Sequence, residues 1–167
     1  MNAEAPVFIA AGSNVEASRN LTLALTELER EFGPLAVSNA YRNAAVGFDG
    51  PDFINLVAGF KTRLGVHEVI ERLHCIEAHC GRRRNALKWE SRSIDLDVLL
   101  YGDLVCDEPG LKLPRLDLLR RAYMLGPLAE VAPDLTPPGA KRTIRELWSE
   151  FDRTSHPLTK VDLTRDA

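Results

Sequence analysis

The sequence predicts an α+β fold of the ferredoxin-like type, a three-layer sandwich in which an antiparallel-rich sheet is flanked by helices. Three observations predict it. Short apolar runs and helix-period segments follow one another in the order β-α-β, β-α-β, with further helices behind them. The chain of 167 residues, 45% hydrophobic and 27% charged, has the balance of one globular domain that buries about 70% of its unfolded surface. No repeat, low-complexity stretch or linker divides it, so residues 1–167 read as a single domain.

Each element has a local reason. Val7 to Ala11 is an apolar run ending in Gly12-Ser13-Asn14, a buried strand closed by a turn. Ser18 is the expected N-cap of the first helix, where Leu21, Leu25 and Leu28 recur at helical spacing to Phe32 and Gly33-Pro34 stops the run. Ala36 to Tyr41 reads as a second strand. Asn43 to Asp52, with two glycines, a proline and two aspartates, reads as a loop of the kind that carries binding residues. Phe53 to Phe60 is a third strand. Val66, Val69, Ile70, Leu73 and Ile76 mark a second helix, closed by Gly81. Arg82 to Arg92 is a basic loop, and Ile94 to Tyr101 a fourth strand. Tyr123 to Val131 and Thr143 to Phe151 read as helices around a Pro-rich loop, and the polar tail from Asp152 is expected to be loosely held.

Composition narrows the function classes. A net charge of −3 argues against a nucleic-acid partner. Three cysteines, an odd and sparse count, give no disulfide framework and suit a reducing compartment. No apolar run reaches the roughly 18 residues of a membrane span, and Met1 to Pro6 lacks a secretory pattern. The expected location is the cytoplasm, the expected partners are small molecules, and monomer and dimer both stay open.

The strongest chemical signal is Arg92-Ser93-Ile94-Asp95-Leu96-Asp97-Val98-Leu99-Leu100. Side chains two apart share a face of a strand, so Asp95 and Asp97 point together while Leu96 and Val98 point into the core. Two such carboxylates repel unless a cation lies between them, and magnesium favours one or two carboxylates completed by water and phosphate oxygens. A solvated acidic face is the plainer reading of a bare Asp-x-Asp. Arg82, Arg83, Arg84, Lys88 and Arg92 precede the pair, and Arg115, Arg120 and Arg121 follow it. These are the cations that a triphosphate requires, though a solvated basic loop would look the same. No Walker-type loop and no Ser/His/Asp set is present. Phe53 and Tyr123 could sandwich a flat heterocycle whose edge Asn55 reads, or could be core. His74, Cys75, His79 and Cys80 have poor spacing for zinc.

With these residues in view, the chain resembles the 6-hydroxymethyl-7,8-dihydropterin pyrophosphokinases of folate biosynthesis, from about Val7 to Pro133. The resemblance rests on Ala11-Gly12-Ser13-Asn14, Tyr41-Arg42, Pro51-Asp52-Phe53-Ile54-Asn55, Ile76-Glu77, and Gly81-Arg82 with Arg84. It continues through Trp89, Arg92, Asp95-Leu96-Asp97-Val98-Leu99-Leu100-Tyr101-Gly102, Leu113-Pro114, Arg121-Ala122-Tyr123-Met124-Leu125 and Pro127-Leu128-Ala129-Glu130. It implies the same three-layer fold and ATP-dependent pyrophosphoryl transfer to the pterin hydroxymethyl oxygen, releasing AMP. It implies that Asp95 and Asp97 hold two magnesium ions and, with Arg84 and Arg92, form the catalytic set. It assigns the pterin to Asn43, Val46, Phe53, Asn55 and Tyr123. It assigns ATP to His74, Glu77, Arg84, Trp89, Arg92, Val98, Arg115 and Arg121.

The sequence departs from the family pattern at several points. Glu90-Ser91 stands for a usual Gly-Pro, Arg115-Leu116 for His-Tyr, His74 for a common glutamine, and Asn43-Ala44-Ala45 for Thr-Pro-Pro. Two other readings therefore stay open: a relative acting on another pterin or nucleotide, and a non-catalytic pterin-binding module with a degraded ATP site.

Overall fold

The computed structural model describes residues 3–45, 49–80 and 94–163. Five strands form one antiparallel path. In spatial order they are β5 (Asp95–Tyr101), β1 (Ala5–Ser13), β4 (Phe53–Thr62), β3 (Ala40–Asn43) and β8 (Thr159–Val161), with β2 (Ala36–Val37) also paired to β4. A hairpin of β6 (Cys106–Glu108) and β7 (Leu111–Leu113) stands apart. The helices are α1 (Ala17–Phe32), α2 (Val66–His79), α3 (Ala122–Val131) and α4 (Ile144–Ser149).

Strand alternation divides the apolar residues between two cores. Ile9, Leu56, Leu96 and Val98 face α1 and α2, where Leu21, Leu28, Val69 and Leu73 meet them. Ala10, Val57 and Leu99 face α3 and α4, against Met124, Leu125, Leu128 and Ile144. This is the expected three-layer α+β arrangement, helix layer on sheet on helix layer. None of its described helices is long and apolar enough to cross a membrane.

Three details differ from the sequence reading. The cap of α1 is Glu16, in the left-handed region (φ 42°), and not Ser18. Asn20 Nδ2 holds the turn instead by donating to Val15 O at 2.6 Å. Ser18 lies buried in the first turn, its hydroxyl without a partner among the described residues. The second strand is broken into β2 and β3. Ser38 interrupts it because its Oγ accepts from Val57 N at 2.9 Å, and Asn39 N leaves the ladder to donate to Glu130 Oε1 at 2.8 Å. The β6–β7 hairpin carries no strong alternation and was not expected.

The tail from Asp152 shows the largest difference in secondary structure. Its described part carries a strand that the sequence reading did not give: β8 pairs with β3, with Ala40 opposite Val161, Tyr41 opposite Lys160 and Arg42 opposite Thr159. The last helix is a single short turn-and-a-half begun by a capping box, in which Thr143 Oγ1 accepts from Glu146 N at 3.2 Å and Glu146 Oε1 accepts from Thr143 N at 3.2 Å. The expected stop at Gly81 and the basic loop Arg82 to Arg92 lie outside the described residues, and α2 is capped at Cys80.

Glu130, near the end of α3, ties the upper helix layer to the sheet: one carboxylate oxygen takes Asn39 N–H and the other the Tyr41 hydroxyl. Burial, and then the Glu130 hydrogen bond and charge, push the Tyr41 phenol up to about 12. The unfolded phenol ionises near about 10, so this link is fully present below that pH and is lost as pH rises through about 12. Unfolding followed from neutral to alkaline pH should therefore show stability falling between about pH 10 and 12 in the wild type and a flatter profile in Tyr41→Phe. The same alkaline fall in both proteins would show that this link does not carry it.

Candidate active site

The site is built on the sheet face that looks toward α3. Residues paired across antiparallel strands share a face. Gly12 on β1 is opposite Asp95 on β5 and Asn55 on β4, and Asn55 is opposite Tyr41 on β3. The next row holds Asp97, Ala10 and Val57. Toward the start of β4, Phe53 is opposite Asn43. One face therefore presents Asp95, Asp97, Asn55, Phe53 and Asn43, while Leu96 and Val98 turn to the opposite core.

Gly12 has a steric duty in this row. A Cβ there would lie 2.4 Å from Asn55 Oδ1, so only glycine leaves room for the amide. Asn55 is 7% exposed, and its Nδ2 donates to Asn43 Oδ1 at 2.6 Å. The amide pair is thus held by β1 below and β3 beside.

The facing wall comes from the segment after β7 and the first turn of α3. Arg115 N donates to Leu99 O at 3.0 Å, which anchors that segment to β5. Arg115 Nη1 then stands 3.9 Å from Asp97 Oδ1, with both side chains partly open to solvent. Tyr123 and Met124 complete a cavity of about 180 Å³ lined by Ala10, Gly12, Asn43, Phe53, Asn55, Asp95, Asp97, Arg115, Asp117, Tyr123 and Met124. Burial raises the Tyr123 phenol above its ordinary range, and the nearby Arg121 cation opposes this only in part, so Tyr123 is a neutral ring donor at neutral pH.

Seven expected site residues meet in this cavity: Asn43, Phe53, Asn55, Asp95, Asp97, Arg115 and Tyr123. Arg121 caps α3 and lines an adjoining cavity of about 220 Å³ that shares Asn43 and Tyr123 with the first. Its Nε is buried and has no partner among the described residues. Val46, Arg84, Trp89 and Arg92 lie outside the described residues. His74 is exposed on α2, on the other side of the sheet, and Val98 is buried in the core under α1 and α2. Neither side chain lines the cavity.

Glu77 is buried at 4% exposure, and its Oε2 accepts from Leu96 N at 2.8 Å. It caps the outer edge of β5 midway between the two aspartates. Gly12, Ala10, Asp117 and Met124 were not read as site residues. Gly12 carried a signal, since it ends the apolar run Val7 to Ala11, but β1 continues through it to Ser13 in place of the expected turn, and its duty depends on register.

No three Asp, Glu, His or Cys side chains cluster as a metal site among the described residues. Asp95 and Asp97 alone are a two-carboxylate donor set on a solvent-reached cavity wall. That fits magnesium completed by water and phosphate oxygens and does not fit a closed structural site.

Comparison with known proteins decides the family. Residues 8–133 match the family described as 7,8-dihydro-6-hydroxymethylpterin-pyrophosphokinase (HPPK). The chain belongs to this family. The 2-amino-4-hydroxy-6-hydroxymethyldihydropteridine pyrophosphokinase of Pseudomonas aeruginosa is 40% identical over 139 residues, covering 81% of this chain and 85% of that protein. The enzyme of the same name from Haemophilus influenzae is 32% identical over 160 residues, covering 93% and 97%. Among solved structures, the wild-type HPPK-DHPS of Plasmodium falciparum superposes with a TM-score of 0.71 at 14% identity. It covers 90% of this chain, which spans 45% of the Plasmodium chain, and the likeness is one of fold.

Within the pyrophosphokinase fold, Glu77 fixes the strand that carries both aspartates. Glu77→Ala would leave the Leu96 N–H without its acceptor, at a cost of about 1–3 kcal/mol. Urea unfolding should show that loss, and hydrogen exchange should show a faster Leu96 amide, with Glu77→Gln close to wild type in both. An unchanged Leu96 exchange rate in Glu77→Ala would refute the anchoring role.

Proposed function

We propose that the chain transfers pyrophosphate from ATP to the hydroxymethyl oxygen of 6-hydroxymethyl-7,8-dihydropterin and releases AMP. The observation that carries this reading is one cavity holding two chemistries. Asn43, Asn55, Phe53 and Tyr123 suit a flat, hydrogen-bonding heterocycle, and Asp95, Asp97 and Arg115 beside them suit a polyphosphate. Membership of the pyrophosphokinase family supports it.

In this reading Phe53 and Tyr123 stack on the pterin, worth about 0.5–1.5 kcal/mol per aromatic pair beyond area burial. Asn55, fixed by Asn43, reads the ring edge. The hydroxymethyl oxygen attacks the β-phosphorus of ATP, the bond from that phosphorus to the oxygen bridging the α-phosphate breaks, AMP leaves with that oxygen, and the hydroxyl proton passes to solvent. Such a transfer asks for positioning and charge compensation and needs no protein nucleophile.

Asp95 and Asp97 would hold the two magnesium ions. When bound, these supply the positive charge that offsets the phosphates. Arg115 lies close enough to Asp97 to offset its charge before nucleotide arrives, and can then turn to phosphate. Arg121 contributes from the adjoining cavity. Arg84, Arg92 and Trp89 serve the nucleotide in this proposal, on the strength of the family resemblance. The three thiols Cys75, Cys80 and Cys106 are free, which supports a reducing, cytoplasmic setting.

The test is product analysis with Mg-ATP and 6-hydroxymethyl-7,8-dihydropterin. Pterin-dependent AMP, not ADP, should form. Asp97→Asn should lower turnover by about 100-fold or more while melting like the wild type, because the side chain is on an open face. ADP as the nucleotide product would refute pyrophosphoryl transfer, and near-normal turnover in Asp97→Asn would refute the metal assignment.

A further inference from the structure

We propose that the C-terminal strap, residues 152–161, is a positioning and specificity element of the pterin site, which it braces from β3 and walls with His156 and Leu158. The inference rests on the function proposed above and extends it to a segment outside residues 8–133, the part of the chain that the family match covers.

The strap forms the outer wall of the second cavity. Asn43 and Tyr123 line both cavities, and Ser155, His156, Pro157 and Leu158 line only the second. The two spaces are lobes of one site divided by the residues that would hold the heterocycle. The strap is folded on itself at its start and packs on Phe151 and α3 farther along. Asp152 Oδ1 accepts from Ser155 N at 3.2 Å. The His156 ring lies 5.5 Å from Phe151, which is stacked on Trp148 at 5.5 Å. Leu158 reaches α3 where Gly126 leaves space: a Cβ there would be 2.9 Å from Trp148 and 3.4 Å from Leu158 Cδ1.

The chain then runs directly into β8. Thr159, next to the wall residue Leu158, is opposite Arg42, next to Asn43. Without β8, β3 would be a four-residue edge strand ending at Asn43, and short edge strands fray. Fraying there would release Asn43 Oδ1 from Asn55 Nδ2. The strap thus acts on the heterocycle in two ways, as a wall and as a brace for the amide pair. The strap lines no part of the cavity that holds Asp95 and Asp97, and it meets the nucleotide residues only through Arg121 in the second, so its effect should fall chiefly on the pterin.

Calorimetry on the full chain tests this, titrating 6-hydroxymethyl-7,8-dihydropterin and, separately, a non-hydrolysable ATP analogue with magnesium. The double variant His156→Ala, Leu158→Ala should weaken the pterin by about tenfold and change nucleotide affinity by no more than about twofold. Leu158→Met, which keeps the apolar volume, should bind as wild type does. Thr159→Pro, which disturbs β8 pairing, should weaken the pterin in the same selective way. In turnover the loss should enter as a raised pterin KM with kcat unchanged at saturation. Wild-type pterin affinity in the double variant, or equal losses for both ligands, overturns the strap's role, and that variant decides the matter if Thr159→Pro fails to fold. A wild-type chain that binds no pterin overturns the function itself and this inference with it.

Discussion

The site depends on how β1 pairs at Gly12. That residue is hydrogen-bonded into the sheet between Asn55 on one side and Asp95 on the other. The register alone brings an amide that can read a ring edge into line with a carboxylate that can bind a cation. A slip of one residue would turn Asp95 and Asp97 into the core beneath α1 and α2 and expose Leu96 and Val98. Such a slip would bury two charges, which is why the register is strongly specified. Farther along, the pairing shifts between Phe8 and Ile9, so that Ile9 meets Val98 while Phe8 meets Leu100. Leu99 is the extra residue of this bulge, and both it and Leu100 reach the second core.

Carboxylates are used in two opposite ways around β5. Asp95 and Asp97 remain at a cavity wall where metal and phosphate can reach them, with Arg115 beside Asp97. Glu77 is buried on the outer edge of the same strand and bound to backbone. The first arrangement leaves charge available for a ligand. The second serves rigidity, since the hydrogen bond that Glu77 accepts from a backbone amide fixes the strand from which the aspartates project. The resemblance drawn from sequence assigned Glu77 to ATP. In the folded chain it supports the strand that carries Asp95 and Asp97, and that role was not readable from its type.

Most of the fold was legible because strand and helix periods are local. Asp95-Leu96-Asp97-Val98 alternates over four residues, and no distant contact is needed to infer which two share a face. Leu21 and Leu28 mark the buried stripe of α1 in the same way. What failed depended on long-range partners. Ser18 looked like a cap, but the left-handed turn at Glu16 and the Asn20 side chain set the helix start elsewhere. The break at Ser38 requires Val57 and Glu130, which lie 19 and 91 residues from their partners. The strap reads as polar tail because its order comes from β3, Phe151 and Gly126. In the cavity, Phe53, Asn55 and Tyr123 were suspected from residue type and assigned by resemblance, whereas the use of Gly12 and the joining of two lobes appear only once the strands are paired.

The central claim is that the pterin and the metal-nucleotide site are two halves of one cavity on a single sheet face. Paramagnetic relaxation tests it directly, with manganese in place of magnesium, a non-hydrolysable ATP analogue, and the hydroxymethyl protons of the bound pterin as reporter. The account predicts strong relaxation of those protons only when protein, manganese and nucleotide are all present, and its loss in Asp95→Asn. Pterin that binds the complete complex with its hydroxymethyl protons unrelaxed would contradict it, since the metal would then be bound away from the reacting oxygen.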